Sequence, residues 1–307
     1  MSGAMRMRIR PMLRFRAGSD GLRREGIATQ VSISREELIG IAHAERQRLG
    51  RTIQYAPPSI WEEPSVCSGW WNRDIMAHLA ALDTAATQLM KGDHAQELDE
   101  YLALLGDTGS ITSDGLNAFL VDRRSGLPYR DVLTTWGRAA EAFLVYAALL
   151  SEDAWHQTRF PWLSGEIAAR FLVQSRVVEW WIHGEDIRAA ADLDPGFQHW
   201  PIHLTVDMAV RMLPWSLEQA GIDLQGLSVQ IDLEGAGEGS WHWGLGTGEA
   251  PQYDKKPDAL IQGRAPQFAL VAARRLTPDD MLDAGVLVLG GNTDIAEVVL
   301  RHIRAYV

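Results

Sequence analysis

The chain has 307 residues, 46% of them hydrophobic and 22% charged, the balance of a soluble globular protein with room for one large domain or two ordinary ones. A formal net charge of −11 repels phosphate backbones and sets nucleic acid aside as a partner, and no apolar run reaches the length of a membrane span. Cys67 is the only cysteine, which excludes an internal disulfide and a Cys-rich zinc site and fits a reducing, cytoplasmic compartment.

Residues 1–33 begin with an arginine- and glycine-rich stretch that lacks the continuous apolar core of a secretion signal, and they read as a disordered basic tail. Order is expected from Ser34, a helix N-cap with Glu37 as its capping-box partner, into a helix carrying Leu38, Ile41 and Leu49. The prolines and glycine of QYAPPSIWEEPSVCSGWW mark a connecting loop. A second helix follows, with Asn72 as its expected N-cap and Ile75, Leu79, Leu82 and Leu89 as its buried stripe. HAQELDEYLALLG reads as a shorter helical piece, residues 129–155 as one long helix, and residues 164–193 as another that ends before Pro195.

Four long helices with irregular joins predict an antiparallel bundle over residues 34–196. From residue 197 the texture changes. One more helix precedes alternating strand-like runs at LSVQIDLEG, SWHWGLG and DALIQGR, then a helix at PQFALVAARRL, a strand at GVLVLGG and a closing helix. The fold class is therefore α+β, a helical bundle followed by a small α+β domain over residues 197–307.

Within RVVEWWIHGEDIR, Glu179 and His183 stand four residues apart and share one helix face. A carboxylate on an apolar stretch is costly to bury unless it is protonated, paired or metal-bound. His78 lies beside the buried stripe of the second helix and is the candidate third donor. Neither a di-iron Glu-x-x-His pair nor a His-Glu-x-x-His zincin motif is present. Spacing alone leaves three readings open: a mononuclear iron or other metal site, a pairing of Glu179 with Arg176 or Arg188, and a solvated Glu179.

The motifs CSGWWNRDIMAHLAAL and EWWIHGEDIR resemble the DinB-like metal-binding bundle and, more narrowly, the mycothiol-dependent maleylpyruvate isomerase family, on Cys67, Gly69, Trp70, Asp74, His78, Glu179, His183 and Asp186. The C-terminal part is similar to the sterol-carrier-like second domain of that family. The resemblance implies a divalent metal, Zn2+ foremost, held by His78, Glu179 and His183. It also implies a low-molecular-weight, mycothiol-like thiol as cosubstrate and a small electrophilic substrate that is isomerised or S-transferred. The alternatives kept beside it are a non-catalytic metal- or ligand-binding module and a mononuclear iron enzyme. Asp186 is the candidate orienting acceptor for a ligand, with a contact to Arg188 as the bland alternative. Arg275 matches a family arginine and is the candidate anchor for a substrate carboxylate, with a helix-end contact as its alternative. Cys67 is expected in a turn outside the ligand set, Asp74 in a first helical turn, and Trp180, Trp181, Trp241 and Trp243 in packing.

Overall fold

The computed structural model describes residues 33–105, 112–162, 165–245 and 256–306. The basic tail expected over 1–33 lies outside the described residues, save Ile33. The described chain divides into two compact units, Ser34–Gly196 and residues 197 onward.

In the first unit, α1 (Arg35–Tyr55), α2 (Asn72–Lys91), α5 (Tyr129–Leu149) and α7 (Ala169–Ala190) are the long helices. Helix α2 lies against α5 and α1 against α7, and contacts of α1 with α5 and of α2 with α7 close the ring. Alanines make the close approach possible: Ala77, Ala80, Ala81, Ala85 and Ala86 of α2 and Ala140 and Ala147 of α5 are all buried. Nearly all of α2 is thereby enclosed, which is why a polar residue on it meets protein on every side. Helix α1 starts as read, with Ser34 Oγ accepting from Glu37 N–H and the Glu37 carboxylate accepting from Ser34 N–H.

Three local expectations are corrected. Asn72 is the first helical residue and not the cap; its side chain turns inward and donates to Ile60 O and Glu63 O, tying the Pro58–Glu62 helical turn to α2. The helix expected over 129–155 ends at Leu149, and Ser151 caps a separate α6 (Glu152–Gln157), because its hydroxyl accepts from Ala154 N–H and offers the backbone a fresh start. The helix expected from residue 164 begins at Ala169; Gly165–Ala168 is instead β2, paired antiparallel with β1 (Arg159–Trp162). Cross-strand pairing, invisible in a helical periodicity count, decides that segment. The shorter α3 (Gln96–Leu105) is as read, whereas α4 (Ser113–Asp122), capped by Thr112, has no counterpart among the expected elements.

The second unit opens with α8 (His199–Gln219), followed by β3 (Ser228–Glu234), β4 (Gly239–Gly244), β5 (Ala259–Arg264), α9 (Ala265–Ala272), α10 (Pro278–Asp283), β6 (Leu287–Gly291) and α11 (Thr293–His302). The sheet order is β4-β3-β5-β6, antiparallel except for the β3–β5 pair. Period-two alternation buries Val229, Ile231, Trp241, Trp243 and Ile261 on one face, so the two tryptophans are core residues as expected. The opposite face holds a polar lattice in which Gln230 Nε2 donates to Ser240 Oγ at 2.6 Å and Ser240 Oγ donates to Asp232 at 2.7 Å. Among the described residues no helix is long and apolar enough to cross a membrane.

Candidate metal centre

Helix α2 delivers His78, 4% exposed, and α7 delivers Glu179 and His183 from one face, with His183 7% exposed. His78 Nε2 stands 3.3 Å from Glu179 Oε2, and His183 Nε2 stands 3.4 Å from the same oxygen. One donor atom from each residue falls within 4.8 Å of the others. The two imidazoles meet edge to face, with ring centroids 5.3 Å apart, and the Trp70 ring packs on His78 at 5.3 Å.

The two rings are held by different means. His183 Nδ1 is 2.8 Å from Asp186 Oδ2, a buried carboxylate that fixes the proton on Nδ1 and leaves the Nε2 lone pair facing Glu179. Among the described residues His78 Nδ1 is buried with no hydrogen-bond partner, so beyond its Nε2 contact with Glu179 the ring is oriented by packing against Trp70 and His183. Arg188, the expected alternative partner of Asp186, pairs with Glu185 at 3.4 Å.

Charge within this cluster is strongly biased. Burial works against an ionised Glu179, but hydrogen bonds from His183 and His78 outweigh it and hold the carboxyl well below its ordinary range. Burial likewise works against a charged His183, and its contacts with Asp186, Cys67 and Glu179 outweigh that and hold it well above the usual histidine range. Burial dominates at His78 and pushes it down. A lone pair facing a carboxylate oxygen at 3.4 Å calls for a cation between them, either the imidazolium proton or a metal ion. The donor set fits the second. Zinc bonds of about 2.0–2.1 Å at near-tetrahedral angles space N and O ligands about 3.3–3.4 Å apart, and the structure gives 3.3 and 3.4 Å.

Behind Glu179 lies a buried ion pair that the sequence reading missed. Arg176 Nη1 is 3.2 Å from Asp83 Oδ1, with both side chains essentially inaccessible, and Trp180 Nε1–H donates to Asp83 Oδ2 at 2.8 Å. Arg176 comes only within 4.0 Å of Glu179, so the pairing considered for that glutamate is secondary to its histidine contacts. Burial pushes the Asp83 carboxyl up to about 6, against the pull of Arg176. A signal existed: Asp83 follows Leu79 by four residues and so falls on the buried face of α2.

The turn before α2 holds Cys67, as expected, outside the group formed by His78, Glu179 and His183, and brings it to that group's edge. Trp70 N–H donates to Cys67 O, and Gly69, third in the turn, has φ +82°, the left-handed value a type II turn requires. Cys67 Sγ thereby lies 3.8 Å from Asp186 Oδ2. Asp74 accepts from Trp71 N–H at 2.9 Å, a first-turn role, and belongs to neither group of converging donors. Trp180 and Trp181 are fully buried, as expected for packing. In the second unit, Arg275 follows α9 and donates through Nη1 to Ala273 O at 2.8 Å and to Tyr306 Oη at 3.3 Å.

Fold and site together define a helical-bundle domain with a three-donor pocket formed by two of its long helices. Residues 42–188 match the mycothiol maleylpyruvate isomerase N-terminal domain family. Over both units the chain is similar to the crystal structure of the mycothiol-dependent maleylpyruvate isomerase, with 18% identity, a TM-score of 0.55, and coverage of 80% of this chain and 91% of that one. It is equally similar to a histidine-to-alanine mutant of that enzyme, with 17% identity, a TM-score of 0.56, and coverage of 84% and 94%. No curated protein matches the chain.

Proposed function

We propose that the protein is a divalent-metal-dependent, thiol-using enzyme that isomerises or S-transfers a small electrophilic substrate, with a mycothiol-like thiol as cosubstrate. What carries the reading is the convergence of His78, Glu179 and His183 inside a domain that matches this family. A divalent ion held by these three, zinc by the family resemblance, keeps positions for a thiol and favours its thiolate near neutrality.

The chain's own residues do the rest. Asp186 holds the proton of His183 on Nδ1 and so keeps Nε2 aimed at the pocket. Glu179 contributes a carboxylate that stays ionised although half-buried. The wall formed by Trp70 keeps bulk water from His78. Arg275, braced by Ala273 O and Tyr306 Oη, supplies a guanidinium for a substrate carboxylate. In the isomerase version, the thiol sulfur adds to an activated cis double bond and a proton goes to the adjacent carbon. The new single bond rotates, and loss of that proton and the thiol gives the trans product. In the S-transfer version, a leaving group departs and the thiol is consumed.

The test incubates the full chain with Zn2+, a low-molecular-weight thiol and a cis-enone acid, read by mass spectrometry. Thiol-dependent formation of the trans acid or of a thioether supports the reading. A protein that binds metal but converts none of a panel of electrophiles with any thiol is a binding module, and the enzyme reading falls. Metal analysis of protein purified without added metal distinguishes zinc from iron.

A further inference from the structure

A second set of donors converges on the far side of the His183 ring. His183 Nδ1 lies 2.8 Å from Asp186 Oδ2, and Cys67 Sγ lies 3.8 Å from that oxygen. The three donor atoms fall within 4.8 Å of one another, drawn from two separate segments, the turn before α2 and helix α7. With bonds of about 2.0 Å to N and O and about 2.3 Å to S, one ion meets the 2.8 Å edge at an angle of about 90° and the 3.8 Å edge at about 125°. The backbone that carries the thiol is also held: Cys67 N–H donates to Ser65 Oγ at 3.1 Å, and Ser65 Oγ donates to Cys67 O at 3.2 Å. Asp186 is buried while Cys67 is half-exposed, which gives an incoming ion an approach through the sulfur side.

We propose that Cys67, His183 and Asp186 form a second cation position, selective for a thiophilic divalent ion, that competes with the first for the His183 ring. The competition follows from proton balance. Binding at the second position releases the thiol proton and requires the Nδ1 lone pair, so the ring proton moves to Nε2. His183 is then lost as a donor to the pocket shared with His78 and Glu179. Filling both positions at once would demand loss of the single proton the neutral ring carries, leaving it as an imidazolate bridge. A soft ion seated on Cys67 therefore weakens metal binding at the first position, whatever reaction that position serves.

The test titrates the metal-free full chain with Cd2+, following the ultraviolet thiolate-to-metal charge-transfer band, with circular dichroism as a check on folding. The wild type is expected to develop the band up to one Cd2+ per chain. Because Cys67 is the only cysteine, Cys67→Ser abolishes the band. Glu179→Gln, which weakens only the first position, retains it. His183→Ala or Asp186→Ala lowers the Cd2+ affinity read from the band by about 10- to 100-fold. A wild type without the band, or a band of unchanged affinity in folded His183→Ala and Asp186→Ala, overturns the proposal. Zn2+ binding by Cys67→Ser, whose His78, Glu179 and His183 are intact, reports the first position separately, so either reading can fail without the other.

Discussion

Replacing Asp186 with asparagine tests how the site holds His183. The carboxylate is 3% exposed and accepts from Nδ1–H at 2.8 Å, which leaves Nε2 as the lone pair. An asparagine amide in the same place presents either its oxygen or its NH2 to Nδ1. With the NH2 forward it donates to Nδ1 and moves the ring proton to Nε2, where it blocks coordination. With the oxygen forward it keeps the tautomer but forfeits the carboxylate charge that makes the imidazole a stronger ligand. Loss of an outer carboxylate partner of a ligating histidine typically costs about 10- to 100-fold in metal affinity, or about 1.4–2.7 kcal/mol. Competition for Zn2+ against a chromophoric chelator measures it, and nitrogen NMR of the His183 ring reads the tautomer directly. Asp186→Asn with wild-type Zn2+ affinity and an unchanged fold would refute the argument that Asp186 prepares His183 as a donor.

His183→Ala should remain helical by circular dichroism while losing most bound zinc and all thiol-dependent turnover, because apolar burial in the four long helices, and not an ion, supplies most of the stability; unfolding of the variant would mark the metal as structural. Asp83→Ala should destabilise the protein by about 3–5 kcal/mol in urea melts, since it strands the buried Arg176 charge, while the paired change Asp83→Leu with Arg176→Met should recover most of that loss; equal losses in the single and double variants would show that the ion pair does not set the penalty. Asp83 also makes a pH prediction. Its folded pKa, raised to about 6 from 3.8, means the folded state holds that proton more tightly than the unfolded state, so its contribution to stability is greatest below pH 3.8 and is lost as pH rises through 6, by about 3 kcal/mol at most. Asp83→Asn should flatten that part of the stability profile, and an unchanged slope would reject the assignment. Arg275→Ala should raise KM for a carboxylate-bearing substrate and spare one without a carboxylate; equal effects on both would remove its anchoring role.

What was legible in the sequence is what a helix fixes locally. Its 3.6-residue period places Glu179 and His183 on one face wherever the helix goes, and a serine three residues before a glutamate caps α1 in any surroundings. Alternation along β4 likewise places Trp241 and Trp243 on one face and His242 on the other. The convergence of His78 with those two donors came from a motif resemblance, because nothing in the spacing within α2 states which face of α7 it will meet.

Tertiary structure decided everything that depends on pairing between segments. The end of α5 at Leu149 and the β1–β2 hairpin follow from a cap and a strand partner that compete with helix continuation, a contest that periodicity cannot score. The Asp83–Arg176 ion pair and the approach of Cys67 to Asp186 join residues far apart in the chain, and each exists only because the bundle brings α2 and its preceding turn against α7. Sequence thus determined which side chains each element presents. Packing determined which of them share a pocket, because distance across a bundle is set by the side chains between helices and not by the residues along any one of them.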